Sequence, residues 1–110
     1  MTPEAKKRKD TPVFSGVLAY FPDALKEVSR VSLAGNKQHH ADEPLHWDRA
    51  KSTDETDALT RHLVDHASGE HYDDDGQLHL AKVAWRSLAA LQKYLENDDN
   101  RNDRPDSATD

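Results

Sequence analysis

Leu80, Val83, Ala84, Leu88, Leu91 and Leu95 recur at three- and four-residue intervals between about Gln77 and Asn97. That spacing lines one face of an α-helix, and this stripe is expected to be the main contributor to the core. No stretch of useful length alternates apolar and polar residues as a strand would, so the chain is predicted to be all-α. Two helices are expected upstream. The first opens at Pro22, which suits the first helical turn, and runs to about Leu33 with Leu25, Val28 and Ser32 along one stripe. Gly35-Asn36 reads as its stop, and Val13, Phe14, Val17, Leu18 and Phe21 form an apolar lead-in to it. The second starts at Ser52 as cap, with Glu55 in the reciprocal capping-box position, and ends near Ser68-Gly69. Short connections make such helices antiparallel neighbours in a small bundle.

The bundle has little to bury. Hydrophobic residues are 35% of the 110 and the mean hydropathy is -1.00, so one subunit has a thin core and oligomerisation, as a dimer or tetramer, is the expected remedy. Residues 1–10, with Lys6, Lys7, Arg8 and Lys9, read as a disordered basic tail, and 97–110 as a disordered acidic one. The folded unit is then 11–96. A net charge of -6 argues against binding a nucleic-acid polymer, which requires a positive footprint, and leaves mononucleotides open. Without cysteine, disulfides, zinc ribbons and thiol nucleophiles are excluded. No apolar run approaches the roughly 18 residues of a membrane span and Met1 to Asp10 lacks the centre of a secretory signal, so a soluble, cytoplasmic protein is expected.

The acids have the more telling pattern. Asp23 and Glu27 lie four apart in the first helix, and Asp54 and Asp57 three apart in the second, so each pair projects from one helix face. Four facing carboxylates would repel unless cations neutralise them, and hard oxygen donors select Mg²⁺ or Mn²⁺. For each pair taken alone, an acidic first turn that complements the helix dipole accounts for the residues equally well. Between the pairs, 36–51 has no clear period and contains Pro44, which makes it a long ordered loop. Asn36, Lys37, His46, Trp47, Arg49 and Lys51 in and around it, with Arg61 beyond, offer cations for phosphates and polar or aromatic groups for a base. Trp47 serves equally as the loop's hydrophobic anchor. His62 and His66 lack the glutamate of a His-Glu-x-x-His hydrolase, which leaves His62 as a hydrogen-bonded residue behind the site and His79 as a packing residue. Asp73-Asp74-Asp75-Gly76 lacks the ligand spacing of a calcium loop.

The string from Phe14-Ser15-Gly16-Val17-Leu18-Ala19-Tyr20-Phe21-Pro22-Asp23 to Val28, with Ala34-Gly35-Asn36-Lys37-Gln38-His39, His46-Trp47, Asp57-Ala58, Arg61-His62-Leu63 and Gly69-Glu70, resembles the MazZ-type dATP/dGTP diphosphohydrolases. These are MazG-like members of the all-α NTP pyrophosphohydrolases. The resemblance implies hydrolysis of a purine dNTP to dNMP and pyrophosphate, with two or more Mg²⁺ or Mn²⁺ ions held by Asp23, Glu27, Asp54 and Asp57. Glu27 and Asp57 would be the catalytic pair. MazG relatives carry Glu-Glu-x-x-Glu and Glu-x-x-Asp; here Ala24 replaces the middle acid of the first motif and Asp54 stands for Glu in the second, which leaves Glu70 or Asp73 as substitutes. The resemblance also implies a place in phage nucleotide metabolism linked to DNA containing 2-aminoadenine. The alternatives from the residues alone are a non-catalytic helical adaptor with acidic patches and an HD-type hydrolase releasing triphosphate, although the chain has no His-Asp dipeptide.

Overall fold

A computed structural model of the chain describes residues 2–50 and 53–97. Its regular elements are all helices, with α1 at Pro3–Lys9, a single π-helical turn at Phe14–Leu18, α2 at Pro22–His39, α3 at Glu55–Ala67 and α4 at His79–Glu96. The all-α expectation holds. None of these helices is long and apolar enough to cross a membrane. Where a tail without structure was expected, Pro3–Lys9 makes two helical turns capped by Thr2, whose hydroxyl accepts from the Ala5 amide at 3.1 Å, and it buries nothing. The C-terminal tail past Asn97, Ser52 and Lys51 lie outside the described residues; α3 begins at Glu55 with Asp54 as its cap, so the expected capping box with Glu55 three residues into the helix does not form.

α3 and α4 pack on each other, and α2 packs on α4. Glu55 at the start of α3 meets Arg86 in the middle of α4 and Lys93 in its last turn, while His62, later in α3, meets His79 at the start of α4. The pair is therefore antiparallel. α3 ends as its sequence suggests: Gly69 takes φ +98°, its amide reaches the His66 carbonyl and the Glu70 amide reaches that of Asp65, both at 3.0 Å. This is the two-bond glycine stop that satisfies the last carbonyls.

Two expectations need correction. α2 does not stop at Gly35-Asn36 but continues to His39, because Gly35 keeps a negative φ and Asn36, buried, ties down the following loop. Its Nδ2 donates to the carbonyls of Glu43 (3.1 Å) and His40 (3.4 Å), and its Oδ1 accepts from the His46 amide (3.3 Å). The leucine stripe of α4 is also not the core: Leu80, Leu88 and Leu91 are exposed, Leu88 by 54%, and the buried apolar residues are Ala58, Ala81 and Ala89. Small side chains let α3 and α4 approach closely. No large side chain is fully buried among the described residues.

Candidate functional site

The polar residues that the close approach of α3 and α4 brings together define the site. Along α3, Glu55, Ala58, His62 and Asp65 fall at three- and four-residue steps, as do His79, Lys82, Arg86, Ala89 and Lys93 along α4, so the two stripes face each other. At one end Glu55, itself buried, accepts from Arg86 (2.9 Å) and Lys93 (2.7 Å). At the other, His62 Nδ1 and His79 Nδ1 lie 2.9 Å apart, with His79 only 3% exposed. The turn before α4 adds its acids: Gly76 takes φ +81°, the Asp73 amide donates to the Gln77 carbonyl at 2.8 Å, and Asp73 and Asp75 both accept from Lys82 Nζ, at 2.6 and 2.8 Å. The turn that faintly suggested a calcium loop thus serves a lysine.

Above this polar seam, between the C-terminal half of α2, the loop 40–48 and α4, opens a groove of about 580 Å³, a size that suits a small ligand. Asn36, His46, Trp47, Asp54 and Arg61, all expected at the site, line it, together with Lys82 and Arg86. Trp47 packs edge-on against Trp85, with ring centroids 5.8 Å apart, and carries the Arg49 guanidinium over its face at 4.3 Å, so it anchors the loop while bordering the groove. His46 is held by its own loop, Nδ1 lying 3.0 Å from the Pro44 carbonyl. Arg61 is exposed and enters no ion pair among the described residues.

The remaining expected residues lie elsewhere. Arg49 pairs with Glu96 and, with Asp57 and Asp54, lines a second recess beside Lys93. Lys37 is exposed on the last turn of α2 and lines neither space. Asp23 sits in the first turn of α2 and Glu27 pairs with Arg30 at 3.3 Å. Asp23 is thirteen residues, roughly 20 Å of helix, from Asn36 at the groove. Among the described residues, three groups of acids and imidazoles come close enough to hold an ion: His40, His46 and Asp48; His62, Asp73 and His79; Asp65, Glu70 and His79. None contains Asp23, Glu27, Asp54 or Asp57. Within one chain these four carboxylates do not make the hard-oxygen cage that Mg²⁺ requires, so the expected donor set does not fit.

Burial lowers the pKa of His62, and the Lys82 charge adds to this against the opposing pull of Asp73. The hydrogen bond from Lys82 lowers Asp73. For Asp75, burial acts upward but the Lys82 and Gln77 hydrogen bonds outweigh it. Lys82, by contrast, is raised, its two carboxylate bonds outweighing desolvation. A histidine whose folded value lies below the ordinary 6.5 makes its full contribution to stability above that pH and loses it as pH falls towards the folded value, because there the unfolded chain takes up a proton that the folded chain resists. In a chelator, stability is therefore expected to decline as pH falls from 6.5 through the lower folded value, against the charges facing His62 from Arg61, Asp73, His79 and Lys82. Urea titrations at a series of pH values should show this slope, and His62→Gln should flatten it. An unchanged slope in that variant would contradict the assignment.

A helical chain whose groove, of a size for a small ligand, is lined by Arg61, Lys82 and Arg86 together with five aspartates is the class that fold and site define. Residues 2–104 match the model of the dATP/dGTP diphosphohydrolase, N-terminal family, and the chain belongs to it. No curated protein and no solved structure gives a match.

Proposed function

We propose that this chain converts dGTP, dATP or both to the deoxynucleoside monophosphate and pyrophosphate with the help of a divalent ion, Mg²⁺ or Mn²⁺, and that the groove holds the nucleotide. The observation that carries this reading is family membership across residues 2–104; the groove supplies what the substrate needs. A triphosphate requires positive charge, and Arg61, Lys82 and Arg86 border one space; Asp48, Asp54, Asp65, Asp73 and Asp75 line it as well, so the phosphates would need the charge of a divalent ion beside these three. Guanidinium groups suit its paired oxygens. Trp47 and Trp85 give the same groove an aromatic wall, against which a purine can stack.

In the reaction water adds to the α-phosphorus as its bond to the bridging oxygen of the β-phosphate breaks. Pyrophosphate leaves, and the proton of the water passes to a groove carboxylate or to solvent. Charge grows on the leaving pyrophosphate, so a fixed cation beside it favours the transition state over the bound substrate. The divalent ion supports this reading through the family resemblance, and no step is derived from the four carboxylates expected to hold it. The same resemblance supports a role in phage purine pools, where dGMP feeds the route to 2-aminoadenine and dATP is withdrawn. A panel of the eight common nucleoside triphosphates tests the substrate class: dGTP or dATP should be consumed at least tenfold faster than any pyrimidine, and equal rates or no turnover would overturn it.

Self-association is part of the proposal. Leu80, Leu88 and Leu91 leave a stripe of α4 uncovered, Phe14, Val17 and Phe21 leave another, and Phe14 is 72% exposed. The radius of gyration of 16.7 Å exceeds the roughly 13 Å of a compact chain this long. Burying one leucine contributes about 1.5–3 kcal/mol, so a symmetric contact through Leu88 and Leu91 gains several-fold that. Leu88→Glu with Leu91→Glu is expected to turn a homo-oligomer into a monomer by light scattering at micromolar concentration. An unaltered mass would place the interface elsewhere.

A further inference from the structure

The acids that a magnesium site was expected to use are dispersed, and the donors that do converge are of another kind. His79 is buried at the start of α4 and shares two of the three ion-capable groups. Its Nδ1 lies 2.9 Å from His62 Nδ1, and Asp73 Oδ2 lies 4.0 Å from the same His62 atom. Ligand atoms about 2.1 Å from a metal ion stand roughly 3 Å apart at right angles and about 4 Å apart across it. The two separations match these values. On its far side His79 Nε2 lies 3.9 Å from Asp65, near it but beyond hydrogen-bond distance. The loop group at His40, His46 and Asp48 differs, because His40 is already committed to Glu43 (2.8 Å) and Asp48 (3.1 Å) and His46 to a backbone carbonyl.

We propose that His62, Asp73 and His79 form a binding site for a first-row transition-metal dication, Mn²⁺ or Zn²⁺ in preference to Mg²⁺. Two imidazoles and one carboxylate are a borderline donor set that favours such ions over magnesium. In the metal-free protein Lys82 neutralises Asp73. It also contacts Asp75 at 2.8 Å, so it can give up Asp73 to an ion and keep a carboxylate partner. The site stands whether or not the groove hydrolyses nucleotides, since it concerns binding of the ion alone.

The test uses the full chain, stripped with chelator and free of nucleotide, titrated calorimetrically with Mn²⁺, Zn²⁺ and Mg²⁺, with the electron paramagnetic resonance of free Mn²⁺ as a second readout. One Mn²⁺ or Zn²⁺ per chain should bind at least tenfold more tightly than Mg²⁺. Asp73→Asn and His62→Gln should weaken it at least tenfold while helical circular dichroism persists, and Lys82→Met, which removes the competing ammonium, should tighten it. Glu27→Gln and Asp57→Asn should leave it unchanged. The proposal is overturned if no saturable binding occurs, if Mg²⁺ binds equally well, or if Asp73→Asn retains the affinity that Glu27→Gln or Asp57→Asn loses. Should His62→Gln fail to fold, Asp73→Asn, isosteric and on an outer turn, decides alone.

Discussion

Glu55→Ala is expected to lower the unfolding free energy by about 3 kcal/mol, the lower end of the roughly 3–5 kcal/mol for removing one partner of a buried ion pair. Glu55 is the only acid among the described residues classed as buried, and two cations of α4 close on it, Arg86 at 2.9 Å and Lys93 at 2.7 Å. Those cations keep 29% and 31% of their side-chain exposure, which lets water take over part of what the carboxylate gave. This is why the lower figure is chosen. The triad fastens the start of α3 to the middle and last turn of α4, where the apolar contribution is an alanine seam, so little else compensates. With a urea slope near 1.5 kcal/mol per molar, the midpoint should fall by about 2 M. Glu55→Gln keeps an acceptor and loses the charge, and it should lie between. A loss under about 0.5 kcal/mol would mean that the triad behaves as a surface pair.

Arg61→Ala is expected to reduce kcat/KM for dGTP or dATP by about a hundredfold, the scale of removing one stabilising donor from a transition state. Arg61 projects from α3 into the groove, and among the described residues it has no carboxylate partner, whereas Lys82 and Arg86 are paired. Its charge is therefore available to a phosphate, and its loss should leave α3 intact. If the fall lies in kcat, Arg61 acts on the leaving pyrophosphate; if it lies in KM alone, it holds substrate and transition state equally. Arg61→Lys should recover only part of the rate, since an ammonium lacks the forked geometry. Full activity in Arg61→Ala would remove the groove from the reaction.

Helix existence was legible because periodicity and turn chemistry act locally. Pro22 opens α2, Gly69 closes α3 with a positive φ, and the leucines of 80–95 lie on a helix. The direction each face points was not legible. α4 carries a leucine stripe and a second stripe of His79, Lys82, Arg86, Ala89 and Lys93, and hydropathy ranks the leucines as interior. The structure buries the small and charged face instead, because alanines permit close helix approach and the matching stripe of α3 offers acids and an imidazole as partners. A signal was present: charged residues at steps of three and four on a helix, matched by opposite charges at the same steps on its neighbour, mark a polar seam. Asn36 failed as a helix stop for a related reason. Its side chain bonds to residues 40, 43 and 46, and no local propensity registers contacts of that range. Asp23 and Glu27 both lie on α2, as read, whereas Asp54 precedes α3 with non-helical dihedral angles (φ -117°, ψ 37°), so only Asp57 of the second pair is on that helix. Convergence between helices depends on packing, which spacing does not encode.

In the proposed reaction this groove breaks the bond between the α- and β-phosphates of a purine deoxynucleoside triphosphate. Single turnover of dGTP, and then dATP, in ¹⁸O-labelled water with Mg²⁺ or Mn²⁺, followed by mass spectrometry, tests it most directly. One labelled oxygen in the monophosphate and unlabelled pyrophosphate is the predicted result. Orthophosphate, free triphosphate with a nucleoside, label in the pyrophosphate, or no turnover would contradict it.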